Sequence, residues 1–234
     1  IRLVDESVKI KGIGVFNPKT TMSDVEFGQE VQIGSKIFKH LPPRLPELIQ
    51  GMKRRAQTIG SKDAGVLITR LGIGPGDVVL EAGLGSGGQS MHLSRVLGAS
   101  GHLITVEPRE EHSAVGLENL QTLAQTLSEF PMHSHVHGRI ESNVEEIRTI
   151  STNIDAILLD LPEHTSAIEA VAHLLNTGGR LSCYCPVSSQ LEQAWVACEA
   201  SGLEVEWAGE IIEREWGKAS TVSYTHLRAH ETLT

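Results

Sequence analysis

Apolar and polar residues follow two rhythms along the chain, and the change between them divides it. Residues 1–50 carry short alternating runs broken by glycine: Gly12-Ile13-Gly14-Val15-Phe16, Val25-Glu26-Phe27-Gly28, and 31–38 around Gly34. Alternation of period two with tight turns predicts a small β-rich module. Pro42, Pro43 and Pro46 then predict a linker. From Ser61 the spacing is helical: Ala64, Leu67, Ile68 and Leu71 share a face, and Gly72-Ile73-Gly74-Pro75-Gly76 ends it.

Strands and helices alternate from there. The apolar runs 78–80, 103–106, 154–159 and 180–185 predict strands. Helical faces are predicted around Leu93, Val96 and Leu97; around Leu117, Leu120, Ala124 and Leu127; around Ile168, Val171 and Leu174; and around Leu191, Ala194, Trp195 and Cys198. Thr177-Gly178-Gly179 predicts a turn between the last two. Such interleaving means an α/β fold, a Rossmann-like, mostly parallel sheet covered on both faces. His133, His135 and His137 alternate and predict a solvated strand face. A metal site is the other reading of such a trio, but no fourth ligand accompanies it.

Composition narrows the classes. The chain has 234 residues, 40% hydrophobic and 21% charged, which suits one buried α/β domain with a small appendage. No run approaches the roughly 18 apolar residues that span a membrane. Cys183, Cys185 and Cys198 are an odd number late in the chain, which points to reduced thiols in a cytoplasmic protein and not to a disulfide framework. The net charge of −9 argues against non-specific coating of nucleic acid, so an RNA partner would need a local basic patch. Lys53, Arg54, Arg55 and Lys62 are the densest candidate. The chain opens on Ile1, which predicts a fragment, and 222–234 resembles translated sequencing-adapter read-through, an expected artefactual tail. The expected division is therefore 1–50, the β-rich module; 51–221, the catalytic domain; and 222–234, the tail.

The first strand of the alternating part runs into Glu81-Ala82-Gly83-Leu84-Gly85-Ser86-Gly87-Gly88. Glycines there permit a sharp turn and close approach of a ligand to backbone at a helix N-terminus. Gly83, Gly85 and Gly88 satisfy G-x-G-x-x-G, a weak pattern alone and compatible with a merely structural turn. Its context adds weight, because Glu107 ends the next strand at the spacing that lets a carboxylate meet a ribose diol. A dinucleotide is disfavoured by Glu81, which would repel a pyrophosphate and attract the cationic amino-acid part of S-adenosylmethionine (SAM). Asp160 emerges from the strand 154–159 at the carboxyl edge, where open α/β sheets hold ligands. It reads either as a turn residue or as a carboxylate facing the transferred methyl.

Several segments together resemble the tRNA (adenine-58-N1)-methyltransferases, a family of class I SAM-dependent methyltransferases. Arg54-Arg55-Ala56-Gln57-Thr58-Ile59 with Lys62-Asp63-Ala64 is similar to the family's R-R-x-Q-x-I-x-x-K-D-A. Asp160-Leu161-Pro162-Glu163 matches D-(L/V)-P-(D/E), Cys185-Pro186 through Gln190 matches C-P-x-x-x-Q, and Arg214-Glu215-Trp216 matches R-x-W. The resemblance covers roughly residues 20 to 216. It implies SAM as cofactor, tRNA as partner, a cytoplasmic location and a homotetramer. It further implies a cofactor site built from Glu81, Gly83, Gly85, Ser86, Gly87, Gly88, Gln89, Ser90, Glu107, Pro108, Arg139 and Asp160. Asp160 is the implied catalytic residue, Arg55, Gln57 and Gln190 the implied substrate contacts, and no metal is implied. Arg139 departs from the family's acidic adenine contact, and His164-Thr165 departs from its P-W at the target-base pocket. The family's last strand, beyond this chain, is expected beside a strand near 203–212. A class I methyltransferase for a protein carboxylate or small molecule, and a non-catalytic RNA-binding subunit, remain the other readings.

Overall fold

The computed structural model describes residues 4–214 and 216. Two antiparallel hairpins come first. β1 (Val8–Ile10) pairs with β2 (Gly14–Phe16), and after α1 (Pro18–Met22), β3 (Glu30–Ile33) pairs with β4 (Lys36–Lys39). Asn17 caps α1 by accepting the Thr20 amide at 3.1 Å.

The expected linker is instead partly helical. α2 (Leu45–Gly51) takes Pro46 into its first turn, where a missing N–H costs nothing. Its Leu45, Leu48 and Ile49 pack with Met52, Leu84, Met91, Leu120 and Leu123, so the segment is fastened to the main body.

Then follow α3 (Ser61–Leu71), β5 (Val78–Ala82), α4 (Gly88–Leu97), β6 (His102–Glu107), α5 (Glu110–Ala124), β7 (Met132–His137), α6 (Val144–Ile150), β8 (Ile154–Leu159), α7 (Thr165–Val171), β9 (Leu175–Cys183) and α8 (Ser188–Ala200). The five strands form one parallel sheet in the order β7-β6-β5-β8-β9. Side chains alternate across it. Leu80, Ile104, Val136 and Ile157 meet Ile147, Ile168 and Ala194 of α6, α7 and α8 on one face. Val79, Leu103 and Leu158 meet Leu67 of α3 and Leu93 and Leu97 of α4 on the other. The chain order reverses direction at β5, leaving a crevice at the carboxyl ends of β5, β6 and β8.

Five more expectations are revised. His133 and His135 do not lie on a solvated face: both rings bond Thr105 Oγ1 at 2.9 Å, and His135 Nε2 lies 3.1 Å from Ser113 Oγ on α5. Only His137 of the three is exposed. Thr177-Gly178-Gly179 lies inside β9, where the register against β8 shifts between Ile154 and Ala156. α8 buries Ala194 and Ala197 but leaves Leu191 and Trp195 each 40% exposed, since β9 is the sheet's last strand and offers little surface to cover them. Residues 203–212 form no strand, so β9 remains the edge of the sheet among the described residues. Leu127 lies beyond the end of α5 yet still packs with Leu120 and Leu123. Glu215 of the R-x-W segment and the tail 222–234 lie outside the described residues.

Candidate cofactor and substrate site

The alternation that builds the core also gathers the site's carboxylates. Val79 and Glu81 on β5, Leu103, Thr105 and Glu107 on β6, and Leu158 followed by Asp160 on β8 share one parity, so all three acids come off the α3–α4–α5 side of the sheet. Residues at the ends of adjacent parallel strands meet at one edge, and the loop backbone closes the gap between them: the Gly83 amide donates to the Asp160 carbonyl at 3.2 Å.

Glu107 is fully buried at its side chain. Its Oε2 accepts the Gly85 amide at 2.9 Å, and its Oε1 accepts both the Arg109 amide at 3.1 Å and the Arg109 guanidinium at 2.7 Å. Burial opposes its charge, but these donors outweigh burial and hold the carboxyl below its ordinary value. Glu81 is the opposite case. It is 3% exposed with the Ser90 hydroxyl 2.6 Å from Oε2, and burial pushes it up to about 8, with Ser90 opposing and Asp160 adding. Burial likewise raises Asp160, to about 6, with Arg109 opposing and Glu107 adding. The residue is nonetheless exposed to solvent at the crevice mouth. Water screening therefore limits that rise and leaves Asp160 ionised at neutral pH.

Close packing explains the glycines. A Cβ on Gly83 would lie 3.0 Å from Glu107 Oε2, and one on Gly88 would lie 2.8 Å from the Thr58 Cβ. The Ser86 hydroxyl is committed within the chain: it accepts the amides of Arg55 and Ala56 at 2.9 Å each and donates to the Ala56 carbonyl at 3.0 Å. Asn119 on α5 adds a second tie, donating to the carbonyls of Lys53 at 2.8 Å and Ser86 at 2.9 Å. The R-R-x-Q segment is thus laced to the glycine loop.

A narrow cavity behind the loop is lined by Ile59, Leu67, Glu81, Gln89, Leu158, Leu159, Asp160, Ser182 and Tyr184. Gln89 is buried there with both amide atoms unpartnered. A larger hollow of about 310 Å³ lies on the outer face of α8 around Leu191 and Trp195, away from the carboxylates and without titratable groups apart from Glu192. Chemistry favours the smaller one. Pro108 is exposed beside Glu107. Arg139, just after β7, is exposed and pairs with Glu141. Arg55 pairs with Glu111 at 3.1 Å, and Gln57 is exposed; neither lines the cavity. Gln190 donates to the Pro162 carbonyl at 2.9 Å and keeps Oε1 buried without a partner, behind the D-L-P-E loop. His164, 2% exposed, stands behind the same loop, its Nδ1 4.0 Å from Cys185 Sγ.

Sequence reasoning missed Thr58, Tyr184, Asn119 and the grip of Arg109. Tyr184 was within reach, because it leaves β9 at the same carboxyl edge that singled out Asp160. Asn119 carries no local signal. Among the described residues no three His, Cys, Asp or Glu gather to hold a metal ion, and no helix is long and apolar enough to cross a membrane.

The residues present suit SAM. The unpaired Gln89 amide offers donor and acceptor to a zwitterion, and the glycines leave room that a Cβ would fill. Glu81 suits a cation, whose approach favours its ionised form, whereas a phosphate would disfavour that form. Fold and crevice together define a class I SAM-dependent methyltransferase. More narrowly, the chain belongs to the family described as the tRNA methyltransferase complex GCD14 subunit, which matches residues 38–232. Among its relatives, the tRNA (adenine(57)-N(1)/adenine(58)-N(1))-methyltransferase TrmI of Methanocaldococcus jannaschii is 30% identical over 217 residues, 83% of this chain and 75% of that protein. The structure of a SAM-dependent O-methyltransferase from Thermotoga maritima has a TM-score of 0.69 at 24% identity, covering 84% of this chain and 70% of that one. That of the tRNA (m1A58) methyltransferase TrmI from Aquifex aeolicus has a TM-score of 0.62 at 22% identity, covering 86% and 75%. At such identities the two structures speak for the fold alone.

Proposed function

We propose that this protein transfers the methyl group of SAM to N1 of adenine 58 in the T-loop of tRNA. The observation that carries the reading is Asp160: a solvent-facing carboxylate in the D-L-P-E loop, tied through its carbonyl to the glycine loop. SAM, when bound, supplies a methyl on a sulfonium, an excellent leaving group. The protein's task is then alignment and electrostatics. Glu107, ionised and held by the Gly85 amide, accepts from the ribose hydroxyls, and Gly83 to Ser90 with Pro108 and Arg139 border the cofactor. Asp160 accepts a hydrogen bond from the exocyclic amine of adenine, which raises electron density at N1 and offsets the positive charge of the methylated base. The base must leave its stack to reach it. Arg55 and Gln57, exposed on the segment clamped by Ser86, contact the RNA, and Gln190 supports the pocket wall behind Pro162.

The same family membership supports a cytoplasmic protein acting as a homotetramer. The division read from the sequence, with 1–50 as an accessory module, 51–221 as the catalytic domain and 222–234 as an artefactual tail, does not rest on that membership, whose match runs from residue 38 to residue 232. Incubation with SAM and an unmodified tRNA transcript, followed by mass spectrometry of the nucleosides, tests the central claim. The expected product is 1-methyladenosine, lost when adenine 58 is replaced. SAM binding with no methylated nucleoside would sink it. That outcome would fit the second reading, a subunit that binds RNA without transferring methyl, for which Arg139 and His164-Thr165 are the departures from the family pattern.

A further inference from the structure

The charge state of Glu81 gives the cofactor site a property of its own, one that rests on the SAM reading above. Glu81 lies between Thr105 of β6 and Leu158 of β8, 3% exposed. From α4 it receives the Ser90 hydroxyl, a group that can donate to a carboxylate or accept from a carboxylic acid by turning. From the end of β8 it faces Asp160, a like charge. Beyond Asp160, Arg109 is spent on Glu107. On the β9 and α3 side stands Tyr184, itself near Asp160 and Asp63, with Lys62 paired to Asp63 at 3.1 Å. Gln89 and Ser182, the other polar groups lining the cavity, are neutral. Among the described residues no cation forms an ion pair with Glu81.

A buried carboxyl with one hydroxyl partner and a carboxylate for a neighbour keeps its proton, because ionisation there is opposed by both desolvation and repulsion. The amino-acid and sulfonium part of SAM carries two positive charges against one negative, and its arrival reverses the balance. We propose that Glu81 is neutral in the free protein and ionises when the cationic part of SAM enters, so that cofactor binding expels one proton to solvent. The proton passes from the Glu81 carboxyl to buffer, and the carboxylate left behind pairs with the cofactor. The free-protein value of about 8 puts this exchange within working pH. Affinity for SAM then rises with pH between about 6 and 8, approaching tenfold per unit.

Calorimetric titration of the full chain with SAM at pH 7, in phosphate and in Tris, reads the exchange directly, since the two buffers differ in ionisation heat. The expected difference corresponds to close to one proton released per SAM. Glu81→Gln should bind more weakly and release none. Ser90→Ala removes a donor that favours the ionised form, so its release should extend to higher pH than that of the unmodified protein. Equal heats in both buffers, undiminished release from Glu81→Gln, or an unshifted pH profile in Ser90→Ala would each overturn the proposal. Failure of SAM to bind the unmodified protein in any buffer strikes instead at the cofactor reading.

Discussion

At the scale of single residues, three carboxylates on one sheet edge are held in three different states by their partners. Glu107 is kept charged by Arg109 and two amides, Asp160 by water, and Glu81 is kept neutral by burial. Their variants should therefore fail differently. Asp160→Asn keeps the shape and removes the charge, so kcat for tRNA methylation should fall by roughly a hundredfold. The Kd for SAM should stay within about threefold, and parallel loss of both would contradict an electrostatic role toward the base. Glu81 predicts an effect on stability. Its folded-state value lies above the ordinary 4.5, so between pH 4.5 and about 8 the folded protein holds the proton more tightly than the unfolded chain. Stability falls as pH rises through that window. Glu81→Gln should then raise the melting temperature of cofactor-free protein at pH 8, by about 2–4 °C for each kcal/mol recovered. At pH 4.5 the two proteins should melt nearly together. A gain that is the same at both pH values would assign the effect to packing.

At the scale of elements, the glycine loop is held from three directions: Glu107 beneath it, the Arg55–Ala56 backbone through Ser86, and α5 through Gly116. A Cβ on Gly116 would stand 2.6 Å from Leu84 Cγ and 2.9 Å from the Gly85 carbonyl. Gly116→Ala should accordingly cost about 1–3 kcal/mol through overpacking and weaken SAM binding by displacing the loop. Ser86→Ala leaves two part-buried amides short of an acceptor, at a cost toward the lower end of that range, and frees the segment carrying Arg55 and Gln57. Its kcat/KM for tRNA should drop more than its affinity for SAM, and a loss confined to SAM binding would contradict the lacing. The supports through Ser86 and Gly116 were not legible in the sequence. Period two and period 3.6 patterns disclosed the strands, most helices, and the edge at which Glu81, Glu107 and Asp160 appear, because those patterns arise within a few residues. The Asn119 ties span 33 and 66 residues, and the contact of α5 with His135 is a tertiary event. The prolines misled for a related reason: Pro46 breaks a helix interior but begins α2.

At the scale of the whole molecule, the acidic balance and an RNA substrate are reconciled by where the charges lie. Residues 1–55 hold ten of the twenty Lys and Arg but only six of the twenty-nine Asp and Glu, so this end is positive and the remainder strongly negative. A polyanion is drawn to the first and repelled by the second, which orients tRNA without any need for a basic surface overall. Within that end, Lys53 and Arg55 are already paired with Glu118 and Glu111 on α5, whereas Lys36 and Lys39 stand exposed on β4 of the second hairpin. If that hairpin meets phosphate, reversing both lysines to Glu should raise the KM for tRNA about tenfold at low salt and leave the Kd for SAM unchanged. Each lost phosphate contact removes about one released counterion, so the dependence of log kcat/KM on log salt should become shallower by about two. Near 0.5 M salt, with screening strong for both proteins, the difference should nearly vanish. An unchanged KM at low salt would leave the R-R-x-Q segment and α5 to hold the RNA without the hairpin, and there reaching phosphate requires Arg55 to exchange Glu111 for the nucleic acid.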